Sequence, residues 1–198
     1  FTVELVGSLT GVFNPRCFAG DNPTFQMHGD WATAKKCIPQ GCVWQAATTG
    51  GSESSGMLFL VTYFPNGKYD FSMQIKNVPL RNIRTWDDTN IDYMQAKVRI
   101  DNQPFVETTL ERELNREDRI LFFSFSEKQF GDDFLRKLKK GNALRVRLYT
   151  DDGNYTLKFP LNGATATINR IQSAMARERD DEGWGDKPSS TNQEIQRY

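Results

Sequence analysis

The sequence predicts a mainly β protein, an antiparallel β-sandwich with two short helices in its C-terminal half. Two hairpin signatures and one helical pattern between them carry that prediction. Met57 to Phe64 is an almost continuous apolar run, as in a strand buried on both faces. Tyr69 to Ile75 alternates, with Tyr69, Phe71, Met73 and Ile75 on one face and Asp70, Ser72 and Gln74 on the other. Pro65-Asn66-Gly67-Lys68 joins them, and Asn-Gly suits the positive φ angles of a tight turn. The second hairpin sets Leu144, Val146 and Leu148 against Arg145, Arg147 and Tyr149, turns at Asp151-Asp152-Gly153-Asn154, and returns through Tyr155, Leu157 and Phe159. Hairpins of this kind, with no strand–helix–strand alternation, point to antiparallel layers.

The remaining elements follow in order. Phe1 to Val6 reads as a short strand and Gly7 to Pro23 as loop, being rich in Gly, Pro, Asn and Asp. Phe25 to Trp31 holds a strand ending at Gly29-Asp30-Trp31, and Val43 to Ala47 another. Thr48 to Gly56 has loop composition. Asn77 to Asn90 is a polar connection. Tyr93 to Ile100 is a strand with Met94, Ala96, Val98 and Ile100 on one face, and Phe105 to Leu110 is the next. Glu111 to Asp118 is charged and reads as exposed. Arg119 to Ser126 is an apolar strand.

Phe130 to Lys140 has the helical pattern. Phe130, Phe134, Leu135 and Leu138 share a face, Asp132 and Asp133 sit in the first turn, and Lys137, Lys139 and Lys140 in the last. Those charges suit the helix dipole, and Gly141 marks the stop. A second helix runs from Ala164 to about Arg177, with Ile168, Ile171 and Met175 on one side. The chain thus divides into one domain over residues 1–176 and a polar tail over 177–198.

Composition narrows function. Among 198 residues, 25 are Lys or Arg and 25 are Asp or Glu, so the net charge is zero. A phosphate-binding nucleic-acid protein shows a basic excess, and this chain does not. No stretch approaches the ~18–20 apolar residues of a membrane span. The sequence opens at Phe1 without a leader, as a mature exported protein would.

Cys17, Cys37 and Cys42 are the cysteines. Cys37 and Cys42 enclose Ile38-Pro39-Gln40-Gly41, a turn that lets two thiols meet, so they form the favoured disulfide. Cys17 is then left over, or takes one of them as partner. The alternatives are three reduced buried thiols, or a zinc site of Cys17, His28, Cys37 and Cys42. The zinc spacing lacks the tight ligand pairs of structural sites.

His28 is the sole histidine, and no local signature places it beside a nucleophile. Asp87, Asp88, Asp92, Asp132, Asp133, Asp151 and Asp152 supply carboxylates, but they sit in turns or at a helix start, where Asp has ordinary capping roles. No catalytic residue, cofactor or metal is implied. A basic cluster spans Lys128, Arg136, Lys137, Lys139, Lys140, Arg145 and Arg147. It suits an acidic partner or a lipid headgroup, or is simply a solvated face. In the tail, Trp184, Ile195 and Tyr198 could form a docking segment.

Gly29-Asp30-Trp31, then Cys37, Cys42 and Gln45, resemble the opening of the invasion-associated locus B family of exported bacterial proteins. The second half adds Val98-x-Ile100-Asp101 with Pro104, Phe134-Leu135-x-x-Leu138-Lys139-Lys140-Gly141, Leu144-x-Val146, and Phe159-x-Leu161-x-Gly163 with Ala166 and Ile168. The likeness covers about Gly29 to Ala174 and departs in lacking a later cysteine pair. A periplasmic accessory family of type VI secretion systems shares the closing pattern. Both resemblances imply a periplasmic or extracellular location in the bacterial envelope, a β-sandwich and no enzymatic activity. The expectation is therefore a non-enzymatic envelope protein that binds a protein partner, as an accessory subunit of a larger complex. It has no transmembrane span, and peripheral membrane contact is compatible with it. The competing readings are a carboxylate-dependent hydrolase and a metal- or ligand-binding module in the cysteine region.

Overall fold

A computed structural model describes residues 26–38, 41–50, 56–76, 92–115, 120–150 and 153–182. The strands are β1 (Gln26–His28), β2 (Trp31–Ile38), β3 (Gly41–Gly50), β4 (Met57–Tyr63), β5 (Tyr69–Lys76), β6 (Asp92–Ile100), β7 (Val106–Asn115), β8 (Ile120–Ser124), β9 (Ala143–Thr150) and β10 (Gly153–Pro160). The helices are α1 (Asp132–Lys140) and α2 (Ala164–Glu182). The class is as expected, mainly β with two helices. Among the described residues, however, the ten strands form one antiparallel sheet in the order β1-β2-β3-β4-β5-β8-β7-β6-β9-β10, where a sandwich would show two sheets.

That sheet coils on itself. β4 and β10 are six places apart in the strand order, so in a flat sheet they would be roughly 29 Å apart at ~4.8 Å per strand. Yet the rings of Phe59 and Phe159 lie 5.8 Å centroid to centroid. The seam is hydrogen-bonded. Trp31 Nε1 donates to Pro160 O at 2.9 Å, Thr48 Oγ1 donates to the same carbonyl at 3.3 Å, and Asp30 N donates to Asn162 O at 3.0 Å. Gly163 is required beside this seam. Its φ is +93°, and a Cβ there would stand 1.6 Å from His28 O.

Inside the coil, Phe59 meets Trp31, Phe71, Phe125 and Phe159, all buried. Each such ring contributes roughly 1.5–3 kcal/mol by leaving water. α1 buries the expected Phe134, Leu135 and Leu138, with Phe134 edge-on to Phe71 at 5.0 Å. α2 buries Ile168, Ile171 and Met175. β4 is buried on both faces as its apolar run predicts, with Phe59, Val61 and Tyr63 in the main core and Leu58 and Leu60 in a small cluster with Ala47.

Several boundaries differ from the sequence reading. Trp31 opens β2 rather than ending β1. β3 runs on to Gly50, through residues read as loop, and β7 runs on to Asn115, through the charged stretch read as exposed. The Pro65–Gly67 turn closes through Gly67 N to Phe64 O, and only Gly67 has positive φ, +81°. It is a three-residue loop with a glycine bulge, so Asn66 does not need the left-handed region. α2 continues to Glu182, past the boundary set at residue 177, because Glu178 is tied down. Its carboxylate accepts Lys35 Nζ at 2.7 Å and Trp44 Nε1 at 3.3 Å. The strand read at Phe1–Val6 lies outside the described residues.

A cationic wall as candidate functional site

The alternation that buries Val98 and Ile100 of β6, Val146 and Leu148 of β9 and Leu157 and Phe159 of β10 turns the intervening residues outward. On β6 these are Lys97 and Arg99, on β9 Arg145 and Arg147, and on β10 Thr156 and Lys158. Register then sets them in rows. Arg99 stands opposite Arg145, and Arg145 opposite Lys158. One step along, Glu107 of β7 faces Lys97, Lys97 faces Arg147, and Arg147 faces Thr156.

The two rows are electrostatically unlike. Lys97 Nζ contacts Glu107 at 2.6 Å, and that hydrogen bond raises the Lys97 pKa and lowers that of Glu107. In the other row Phe105 occupies the place where a carboxylate would sit. The Arg99 guanidinium lies 4.4 Å from the Phe105 ring centroid and that of Arg147 lies 5.9 Å away. Such stacking is worth about 0.5–1 kcal/mol at exposed sites. Arg99 Nε is buried and carries no hydrogen bond. Arg145 Nη1 donates to the Asp101 carbonyl at 3.0 Å, while the Asp101 carboxylate is taken by the backbone N–H groups of Asn142 and Ala143. Among the described residues no carboxylate pairs with Arg99, Arg145, Arg147 or Lys158. Like charges directly opposite on a sheet destabilise it, so this row holds charge that the fold itself does not neutralise.

The sequence-derived candidates divide. Arg145 and Arg147 are on the wall. Lys137 is on α1 and is paired to Asp133 at 2.6 Å, and Arg136 also contacts Asp133. Lys139 gives its carbonyl to Thr165 Oγ1, and Lys140 is exposed at the helix end. The basic cluster read along the chain is therefore two groups, and in the α1 group Arg136 and Lys137 share the Asp133 carboxylate. Trp184, Ile195, Tyr198 and Cys17 lie outside the described residues. Lys97, Arg99, Phe105 and Lys158 were missed. Their alternation was legible, and the β9–β10 hairpin already set Lys158 beside Arg145, but nothing local placed β6 on the other side of β9.

Cys37 and Cys42 are joined by a disulfide across β2 and β3, where they are direct cross-strand partners with Cα atoms 3.9 Å apart. Two sulfurs of the zinc alternative are thereby used. Of the candidate carboxylates, Asp132 accepts from Tyr69 Oη, and Lys137 and Arg136 hold Asp133 below its ordinary value. Asp70 is shifted the other way, raised first by burial and then by its hydrogen bond to Glu127.

These features define a coiled, mainly β protein with a charged outer wall. Among solved structures its fold is similar to the crystal structure of invasion associated protein b from Bartonella henselae, with a TM-score of 0.54 and 11% identity over 77% of this chain and 97% of that one. The resemblance read from the sequence thus holds at the level of fold. No protein-family model and no curated protein sequence matches the chain.

Proposed function

We propose that this chain is a non-enzymatic protein of the bacterial envelope, exported to the periplasm or beyond, that binds a protein partner as an accessory subunit. The observation that carries the reading is the row Arg99–Arg145–Lys158, cations set side by side on an outer sheet face with no carboxylate paired to them among the described residues. A sheet under selection for stability alone gains from alternating signs at those positions. The disulfide supports an oxidising compartment. The fold shared with an invasion associated protein supports an envelope setting. No helix among the described residues is long and apolar enough to cross a membrane.

Photo-crosslinking in the envelope tests this. A crosslinker at exposed Asn154, on the β10 side of the wall, is expected to give a discrete protein adduct, and one at exposed Gln172 on α2 none. Adducts from Gln172 alone, or from neither position, refute the reading.

A further inference from the structure

We propose that the wall receives an extended acidic segment of the partner, in the pattern aromatic-x-acid-x-acid, lying across β6, β9 and β10. The proposal rests on the binding role argued above and names the chemistry of its partner. The fold contains a template for the contact. In the row Glu107–Lys97–Arg147–Thr156 a neighbouring strand supplies a carboxylate, and it sits 2.6 Å from Lys97. In the row Phe105–Arg99–Arg145–Lys158 no strand among the described residues supplies one. A carboxylate from outside completes the second row as Glu107 completes the first.

Spacing selects the class of partner. Adjacent strands stand ~4.8 Å apart, so Phe105 to Lys158 spans roughly 14 Å, with cations at about 5, 10 and 14 Å along it. An extended peptide crossing the strands presents same-side residues every ~6.7 Å. An aromatic over Phe105 places the next two same-side residues at about 7 and 13 Å. The first then falls between Arg99 and Arg145, the second between Arg145 and Lys158. The planar guanidinium forks suit carboxylates. Phosphate recognition favours cations that converge on a point, whereas these project side by side from one sheet face. Phe105 is 39% exposed, which leaves ring surface for an apolar side chain.

Fluorescence anisotropy with a labelled Gly-Phe-Thr-Glu-Thr-Glu-Gly peptide tests the surface on the full chain. The same peptide with Lys in place of Glu, inorganic phosphate and phosphatidylglycerol vesicles are the comparison probes. The expected result is binding of the acidic peptide that weakens with salt and is about fivefold weaker in Lys158→Gln. Lys158→Glu should abolish it, because the new carboxylate faces Arg145 and fills the row from within. Lys158→Glu removes a like-charge neighbour, so its Tm should equal or exceed that of the parent, which separates lost binding from lost folding. Equal binding of the Lys peptide, indifference to Lys158→Glu, or a preference of the wall for phosphate or vesicles overturns the proposal. If it falls while the Asn154 adduct persists, the binding role survives with a different contact. If both fail, the role fails too.

Discussion

Asp70 stands opposite Thr62 on the outward face of β5, and its carboxyl is held above the ordinary 3.8 by burial, then by its hydrogen bond and charge repulsion with Glu127, against a smaller pull from Lys68. The folded chain therefore binds that proton more tightly than the unfolded chain does. This group's contribution is fully present below the unfolded value, near pH 4, and is lost as pH rises through the higher folded value. Asp70→Asn keeps the shape and removes the titration. Its Tm is expected to exceed the parent's near pH 7, with the gap closing below about pH 4. Circular-dichroism melts across that window check it, and a gap independent of pH sinks it. At this scale the sequence was partly readable. Alternation showed that Arg145 and Arg147 face opposite Val146. It could not show that Arg99 stands beside them, because β6 meets β9 across an intervening hairpin strand, β8 and α1, whereas Lys158 follows from the β9–β10 hairpin itself. Neighbourhood of that kind is set by tertiary pairing and leaves no local pattern.

Among the elements, β2 shows why a strand can be illegible. Its inward residues are Trp31, Thr33, Lys35 and Cys37, and its outward ones include Ala32 and Ala34, so neither face reads as apolar alternation. Glu178, 143 residues later, reaches this lysine at its inward register position and pairs with it. The same contact explains why α2 outlasts its apolar stripe. Met175 is its last buried hydrophobic, and the residues after it look like tail until the carboxylate's two partners are known. Lys35 also lies 5.6 Å from the Trp44 ring centroid, so the clamp joins β2, β3 and α2. Glu178→Ala is expected to cost about 1 kcal/mol in urea unfolding, the scale of a partly exposed ion pair with a hydrogen bond to indole. A double-mutant cycle with Lys35→Ala isolates the coupling. A coupling near zero would mean that the Lys35 ion pair contributes nothing to holding α2, leaving Glu178 only its bond to Trp44.

For the whole molecule, the hairpins were legible because each is local, with turn chemistry beside alternation. The coil was not, since its closure depends on pairs such as Trp31 and Pro160, 129 residues apart. A sheet that coils brings its two ends together, so β2–β3 and β9–β10 become mechanical neighbours although they are near opposite ends of the strand order. Phe159 is the joint. It is fully buried, packs on Phe59, and a Cβ added at Gly50 would meet its ring at 2.7 Å. Phe159→Ala is expected to cost about 3–5 kcal/mol, the range for a buried aromatic replaced by a cavity. The distribution of the loss matters more than its size. If the seam couples the ends, hydrogen exchange in the variant accelerates together in β2, β3, β9 and β10, because the Pro160 carbonyl then loses the frame that presents it to Trp31 and Thr48. If the sheet is held only by its strand ladders, β9 and β10 lose protection while β2 and β3 keep theirs. That second pattern would show that the cationic wall rests on its own hairpin and β6, independent of the disulfide-bonded strands across the seam.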